Sequence, residues 1–230
     1  MKRTLTAVLL SFGLATIGFA QNGTPIVVPV EQAPYHVPVF HNDLVTVLDV
    51  FIPPKRESGY HRHSLDTVGV LIADTERTGQ VLGAERTVTA PRERGSINFG
   101  ANSRQENVHT VAVTGDTPFH NIVVELMAAR PSGFTVSTRG SGYEQILDNE
   151  RVRAWRLALD PGESAPAITQ SAPGVRVVVM GGELIESVPG RPDRAMAPRP
   201  GDFFWQDPGA TRAVRNSGSS RLDIVEIEIK

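Results

Sequence analysis

Gly59-Tyr60-His61-Arg62-His63-Ser64-Leu65-Asp66-Thr67-Val68 is the stretch on which the reading of this chain turns. His61 and His63 are two positions apart. On an extended strand side chains alternate between faces, so both imidazoles leave the same side. Neutral imidazole is a common ligand for divalent transition metals. A third, His109, stands far downstream in another β-rich run. Two rings from one strand and one from another can hold one side of a metal and leave the other open. That is the layout of a catalytic or substrate-binding centre rather than a closed structural one. Taken alone, a His-x-His pair is equally a surface feature of an edge strand.

Around this stretch the chain reads as short strands divided by Gly and Pro. Val45 to Ile52 is rich in β-branched residues and stops at Pro53-Pro54, with Leu48, Val50 and Ile52 on one face. Val68 to Ile72, Arg86 to Ala90, Gly95 to Phe99, Val108 to Val113 and His120 to Leu126 follow. The second half repeats the first. Asp148 to Gly162 matches His41 to Lys55, Val177 to Gly182 matches the run from Val68, and Val225 to Ile229 matches Ile122 to Leu126. A duplication of about 105 residues accounts for these matches. No sustained helical period is present. The pattern predicts an all-β chain of two similar barrels or jelly rolls.

These residues resemble the cupin family, arranged as a secreted bicupin with two tandem jelly-roll barrels. The family's first motif, a Gly/Pro-led turn, His-x-His, a Glu and an apolar strand, is similar to Pro53-Pro54 through His61 and His63 to Leu71. Its second motif places a His where His109 stands. The resemblance implies one divalent transition metal (Fe, Mn, Ni, Cu or Zn) in the first barrel, on His61, His63 and His109. The motif Glu is missing. Asp66 is the nearest carboxylate and completes the set only if the strand start is bulged. In the second barrel the His-x-His positions read as about Gln170 and Ala172, and Arg212 replaces the second-motif His. No metal is expected there, and Arg212 is expected to pair with a carboxylate, the alternatives being to hold an anionic ligand or to reach solvent at the barrel end. Arg104 to Asn107 precede His109 and read either as a solvated loop or as mouth residues that orient the imidazoles. His120 shares strand parity with Ile122, which points it inward, as a hydrogen-bonded core or rim residue. His36 and His41 read as surface residues.

Residues 1–20 read as a secretory signal. Lys2 and Arg3 precede an apolar run, and Gly18 and Ala20 stand before the cleavage point at Gln21. The run is short and broken by polar residues and glycines, so no membrane span is expected in the mature chain, and the address is periplasmic or secreted. The expected divisions are an extended segment at 21–36, the metal-bearing barrel at 37–130, a linker at 131–142 and the second barrel at 143–230. There is no cysteine, which excludes disulfides, thiolate sites and cysteine nucleophiles. A net charge of −2 without a basic domain argues against nucleic acid. The expected partner is a small-molecule ligand or substrate, and pairing through strand edges leaves a homodimer open. Three functions fit: a metal-dependent oxygenase, isomerase or lyase on a small oxygenated molecule; a non-catalytic binder of metal or small molecule; and a structural envelope protein.

Overall fold

The computed structural model describes residues 24–230, so the signal-peptide reading lies outside the described residues. The first half consists of β1 (Val27–Pro29), β2 (His36–His41), β3 (Val45–Ile52), β4 (Tyr60–His63), β5 (Thr67–Ala73), β6 (Arg77–Val81), β7 (Thr87–Thr89), β8 (Ile97–Gly100), β9 (Asn107–Val113) and β10 (Phe119–Leu126). The second consists of β11 (Tyr143–Asp148), β12 (Val152–Leu159), β13 (Ile168–Thr169), β14 (Gly174–Met180), β15 (Leu184–Ser187), β16 (Arg194–Met196), β17 (Phe203–Gln206), β18 (Thr211–Asn216) and β19 (Leu222–Ile229). Each half is a two-sheet barrel. The first pairs the sheets β1-β4-β9-β6-β7 and β2-β3-β10-β5-β8; the second pairs β11-β12-β19-β14-β17 with β13-β18-β15-β16. The Pro-rich N-terminal segment contributes an edge strand, β1, parallel to β4. The all-β, two-barrel architecture read from the sequence is the one observed.

The central strands of both halves have two buried faces. In β3, Leu48, Val50 and Ile52 point into the first barrel beside Leu71, Phe119 and Val123. The alternate residues Val45 and Val47 join Val68, Val70, Ile122 and Val124 in a different cluster. That cluster continues into Ala154, Val175, Val177, Val225 and Ile227 of the second half. The β2-β3-β10-β5-β8 sheet therefore packs its outer face against the β11-β12-β19-β14-β17 sheet. This is why these strands read as nearly continuous apolar runs rather than as clean alternation. The seam admits close backbone approach. Gly201 has φ +93°, and a Cβ there would stand 2.6 Å from Cε1 of His120.

The repeat is present, with a register that differs from the sequence matching. Val124 stands opposite Val68 and its equivalent Ile227 opposite Val175, so Val68 corresponds to Val175 rather than Val177. Likewise His61 bridges His109 as Ile168 bridges Arg212. His61 and His63 thus correspond to Ile168 and Gln170, not to Gln170 and Ala172. Both displacements are two residues. An even shift leaves every side chain on its own face, so apolar alternation cannot detect it.

Residues 127–142 form no strand, yet they are tied down. Val136 is buried against Trp155 and Ala172, and Ser132 N–H donates to the carbonyl of Lys230. Because the two barrels share one apolar seam, truncation at its centre weakens the whole chain. Ile227→Ala is expected to cost about 2–5 kcal/mol in urea unfolding. A single cooperative transition should move as a unit; two transitions, with the first-barrel signal unmoved, would contradict the shared seam.

Candidate metal centre

β4 turns its two histidines inward, where His61 and His63 are both buried. β9 runs antiparallel to it with His109 directly opposite His61. One ring nitrogen from each of His61, His63 and His109 lies within 4.8 Å of the other two. The three rings meet edge to face, with centroids 4.5 to 5.2 Å apart. His63 and His109 line a cavity of about 410 Å³ together with amides from Asn98, Asn102, Asn107 and Asn121, and His61 lies behind them.

The hydrogen bonds fix the tautomers. Nδ1–H of His61 donates to the Gly59 carbonyl at 3.0 Å, leaving a lone pair on Nε2. Nε2–H of His109 donates to that lone pair at 2.9 Å, and Nδ1 of His109 accepts from the Asn107 amide at 3.1 Å. For His109 to ligate through Nε2, its proton must move to Nδ1 and the Asn107 amide must present its oxygen. Asn107 is therefore an orienting residue, as the mouth reading of Arg104 to Asn107 anticipates. Glu106 of that run is exposed and is bonded to Ser64 instead.

Burial keeps the rings of His61 and His109 neutral. Desolvation, followed by repulsion from His36 and His109, lowers the His61 pKa to about 2. Desolvation, followed by repulsion from His63 and His36, lowers that of His109 to about 4. Neutral imidazoles with free lone pairs are the form that binds a metal, so the residues present suit a divalent transition ion.

Asp66 does not join them, contrary to the sequence expectation. Its Oδ1 accepts from the N–H and hydroxyl of Ser103 at 2.9 and 2.7 Å. Its Oδ2 pairs with Nη1 of Arg151 from the second barrel at 2.5 Å. The gap between β4 and β5 does not bulge it inward, and it serves as a buried clamp between the barrels. His36 also departs from expectation. It is buried, not at the surface, with its ring centroid 4.4 Å from that of His61. Its register opposite inward-facing Val50 places it there. Nδ1–H donates to the Pro34 carbonyl, which leaves Nε2 as a lone pair. Burial lowers its pKa as well. Sequence reasoning also missed Glu125, a buried carboxylate 3.9 Å from Nδ1 of His63. A charge inside the apolar run Ile122 to Leu126 is the signal that could have found it.

His41 is exposed, as read. His120 does lie with Ile122, but that face looks onto the seam rather than the barrel interior. Its Nε2–H donates to Asp49 at 2.8 Å. Arg212 pairs with Glu226 at 3.0 Å, as expected.

No family model matches this chain, and no curated protein matches it in sequence. Solved structures do match in shape. AerE from Microcystis aeruginosa superposes with a TM-score of 0.59 at 12% identity, over 86% of this chain and 98% of that one. The Ylba protein from E. coli gives 0.58 at 10%, over 91% and 88%. The salicylate 1,2-dioxygenase from Pseudaminobacter salicylatoxidans gives 0.55 at 12%, over 81% and 71%. A cupin 2 conserved barrel domain protein from Leptotrichia buccalis is a further match, at 0.52 and 9%. At these identities the likeness establishes the fold, which is that of the cupin proteins.

Two outcomes follow from this geometry. Asp66→Ala leaves the Arg151 guanidinium buried without its partner and is expected to cost about 3–5 kcal/mol. Metal content should be unchanged in the same variant, and a loss of metal would return Asp66 to the ligand set. The metal-free protein should also weaken in acid. Below the ordinary histidine value of 6.5 the unfolded chain takes up protons that folded His61 and His109 refuse. Their contribution is complete above 6.5. For His109 it erodes down to about 4, and for His61 down to about 2. Urea midpoints measured from pH 8 to pH 4 should fall less steeply for His61→Phe than for the wild type.

Proposed function

We propose that this chain is an exported bicupin that holds one divalent transition metal on His61, His63 and His109 and acts enzymatically on a small oxygenated molecule. The convergence of the His61, His63 and His109 imidazoles on one point beside an amide-bearing cavity carries the reading. Three imidazoles suit Fe, Mn, Ni, Cu or Zn alike. When bound, such an ion supplies Lewis acidity to a coordinated oxygen, or dioxygen chemistry if it is redox-active.

The chain's own groups would bind and orient the substrate. Oδ1 of Asn121 is buried and has no hydrogen-bond partner among the described residues, so it is free to accept from a substrate hydroxyl. Gly69 makes room for this. A Cβ there would stand 2.6 Å from Oδ1 of Asn98 and 2.9 Å from Nδ2 of Asn121. Arg77 and Arg92 line the same cavity. Arg77 is held by Asp74 and lies over the Phe119 ring, 4.7 Å from its centroid. The apolar residues Val50, Ile52 and Val123 form the remaining wall and limit water. Near the imidazoles, Glu125 and the Nε2 lone pair of His36 are the groups able to accept a proton.

A non-catalytic binder of metal or small molecule is the second reading, favoured by one observation. Besides its histidines, the cavity's polar lining includes four amides and two arginines, which recognise oxygens but move no protons. Export rests on the sequence of residues 1–20.

Metal analysis of the mature protein separates the readings. About one ion per chain is expected in the wild type and almost none in His61→Ala or His109→Ala. Turnover or oxygen uptake on a panel of diols and oxo-acids supports the enzyme, and bound metal without turnover supports the binder. A wild type that stays metal-free after incubation with each of the five ions would end the metal reading altogether.

A further inference from the structure

The second barrel carries a built site of another kind. The position equivalent to Gly69 is Arg176, and the position equivalent to His109 is Arg212, so two guanidinium groups enter the interior where the first barrel has a glycine and an imidazole. Both are almost completely buried, 2% and 4% exposed. Arg176 donates from Nη2 to Glu186 at 2.7 Å and lies over the Phe204 ring, 5.0 Å from its centroid. Its Nε and Nη1 have no hydrogen-bond partner among the described residues. Arg212 donates from Nη1 to Gln170 at 3.1 Å, while its Nε and Nη2 also lack hydrogen-bond partners, Nη2 standing 3.0 Å from Glu226. Both residues line an open cleft of about 540 Å³, whose rim carries Arg191 and Arg194.

Buried guanidinium N–H groups without acceptors are costly, and the cost is relieved by an acceptor that enters the cleft. Burial, then repulsion from Arg176 and Arg139, pulls the Arg212 pKa down to about 10. The buried charges offset one another. Arg139, Arg176 and Arg212 are offset by Glu186, Glu226 and Glu228. At the cleft rim Arg191 and Arg194 are exposed cations, and Asp207 also lines the cleft. A guanidinium edge offering two N–H groups matches a carboxylate. Phe204, Val188 and Pro189 give the cleft an apolar side.

We infer that the cleft of the second barrel binds a small organic monocarboxylate, its carboxylate against the free N–H groups of Arg176 and Arg212 and its apolar body against Phe204, Val188 and Pro189. This site is separate from the histidine centre and stands or falls independently of it.

The test is calorimetric titration of the mature full-length protein with benzoate, hexanoate and inorganic phosphate. One-to-one saturable binding of at least one carboxylate, tighter than phosphate, is expected. Arg176→Met should weaken it by about tenfold or more, the loss of a charge-assisted hydrogen bond. Arg191→Gln should weaken it by a few-fold and flatten its salt dependence. Ala210 lies exposed in the cleft lining, so Ala210→Trp should block binding even if Arg176→Met does not fold. His109→Ala should leave it unchanged. No saturable binding, phosphate binding tighter than both carboxylates, affinity indifferent to Arg176→Met and Ala210→Trp, or affinity lost in His109→Ala would each overturn the assignment.

Discussion

The apolar seam between the barrels is the constraint from which the rest follows. Six strands, β3, β5 and β10 in one half and β12, β14 and β19 in the other, bury one face in their own barrel and the other against the sister barrel. Once Val45, Val47, Val68, Val70, Ile122 and Val124 are committed to the seam, their neighbours have only the barrel interior left. Strand alternation then sends Asn121 and Glu125 inward from β10, and pairing with β3 sends His36 inward from β2. The polar equipment of the cavity is a by-product of where the apolar residues must go. Hydrophobic burial, at about 25 cal/mol per Å² of apolar surface, is large enough to hold that equipment in a buried place it would not choose.

The two halves show what one scaffold does with different polar residues at the same positions. In the first barrel the polar interior groups are mostly imidazoles and amides, and burial keeps His61 and His109 neutral. Such a lining invites a cation to displace the His109–His61 hydrogen bond. In the second barrel the same positions hold full charges, with Arg139, Arg176 and Arg212 interlocked with Glu186, Glu226 and Glu228. Arg139 arrives from the segment between the barrels and stacks over Trp155, 4.3 Å from its ring centroid. Glu125 and Glu228 are equivalent residues in the repeat, yet one faces a histidine and the other an arginine. The fold leaves the sign of the interior to its residues, which is why likeness of fold says little about chemistry.

The clamp between Asp66 and Arg151 illustrates how proximity in sequence can mislead. Asp66 is the carboxylate nearest the His-x-His pair along the chain, but the break between β4 and β5 turns it outward, toward Ser103 and the second barrel. The carboxylate that does approach the histidines, Glu125, comes from a strand sixty-odd positions away, as register rather than adjacency requires.

The sequence by itself determined the all-β class, the duplication, most of the strands and the three convergent histidines. Period-two alternation, Gly and Pro punctuation and the His-x-His spacing are local properties of an extended chain. It also supplied Arg212 as a charge in an inward position and Asn107 as a neighbour able to orient His109. Only the tertiary structure decided which of two buried faces looks into a barrel and which onto the seam. That choice placed His120 at the seam, His36 beside His61 and Asp66 opposite Arg151. It also decided the register of the repeat, because a displacement of two residues conserves every face and changes only which strands' side chains meet. Pairing across the sheet is set by contacts between distant segments, and no periodicity along one segment records them.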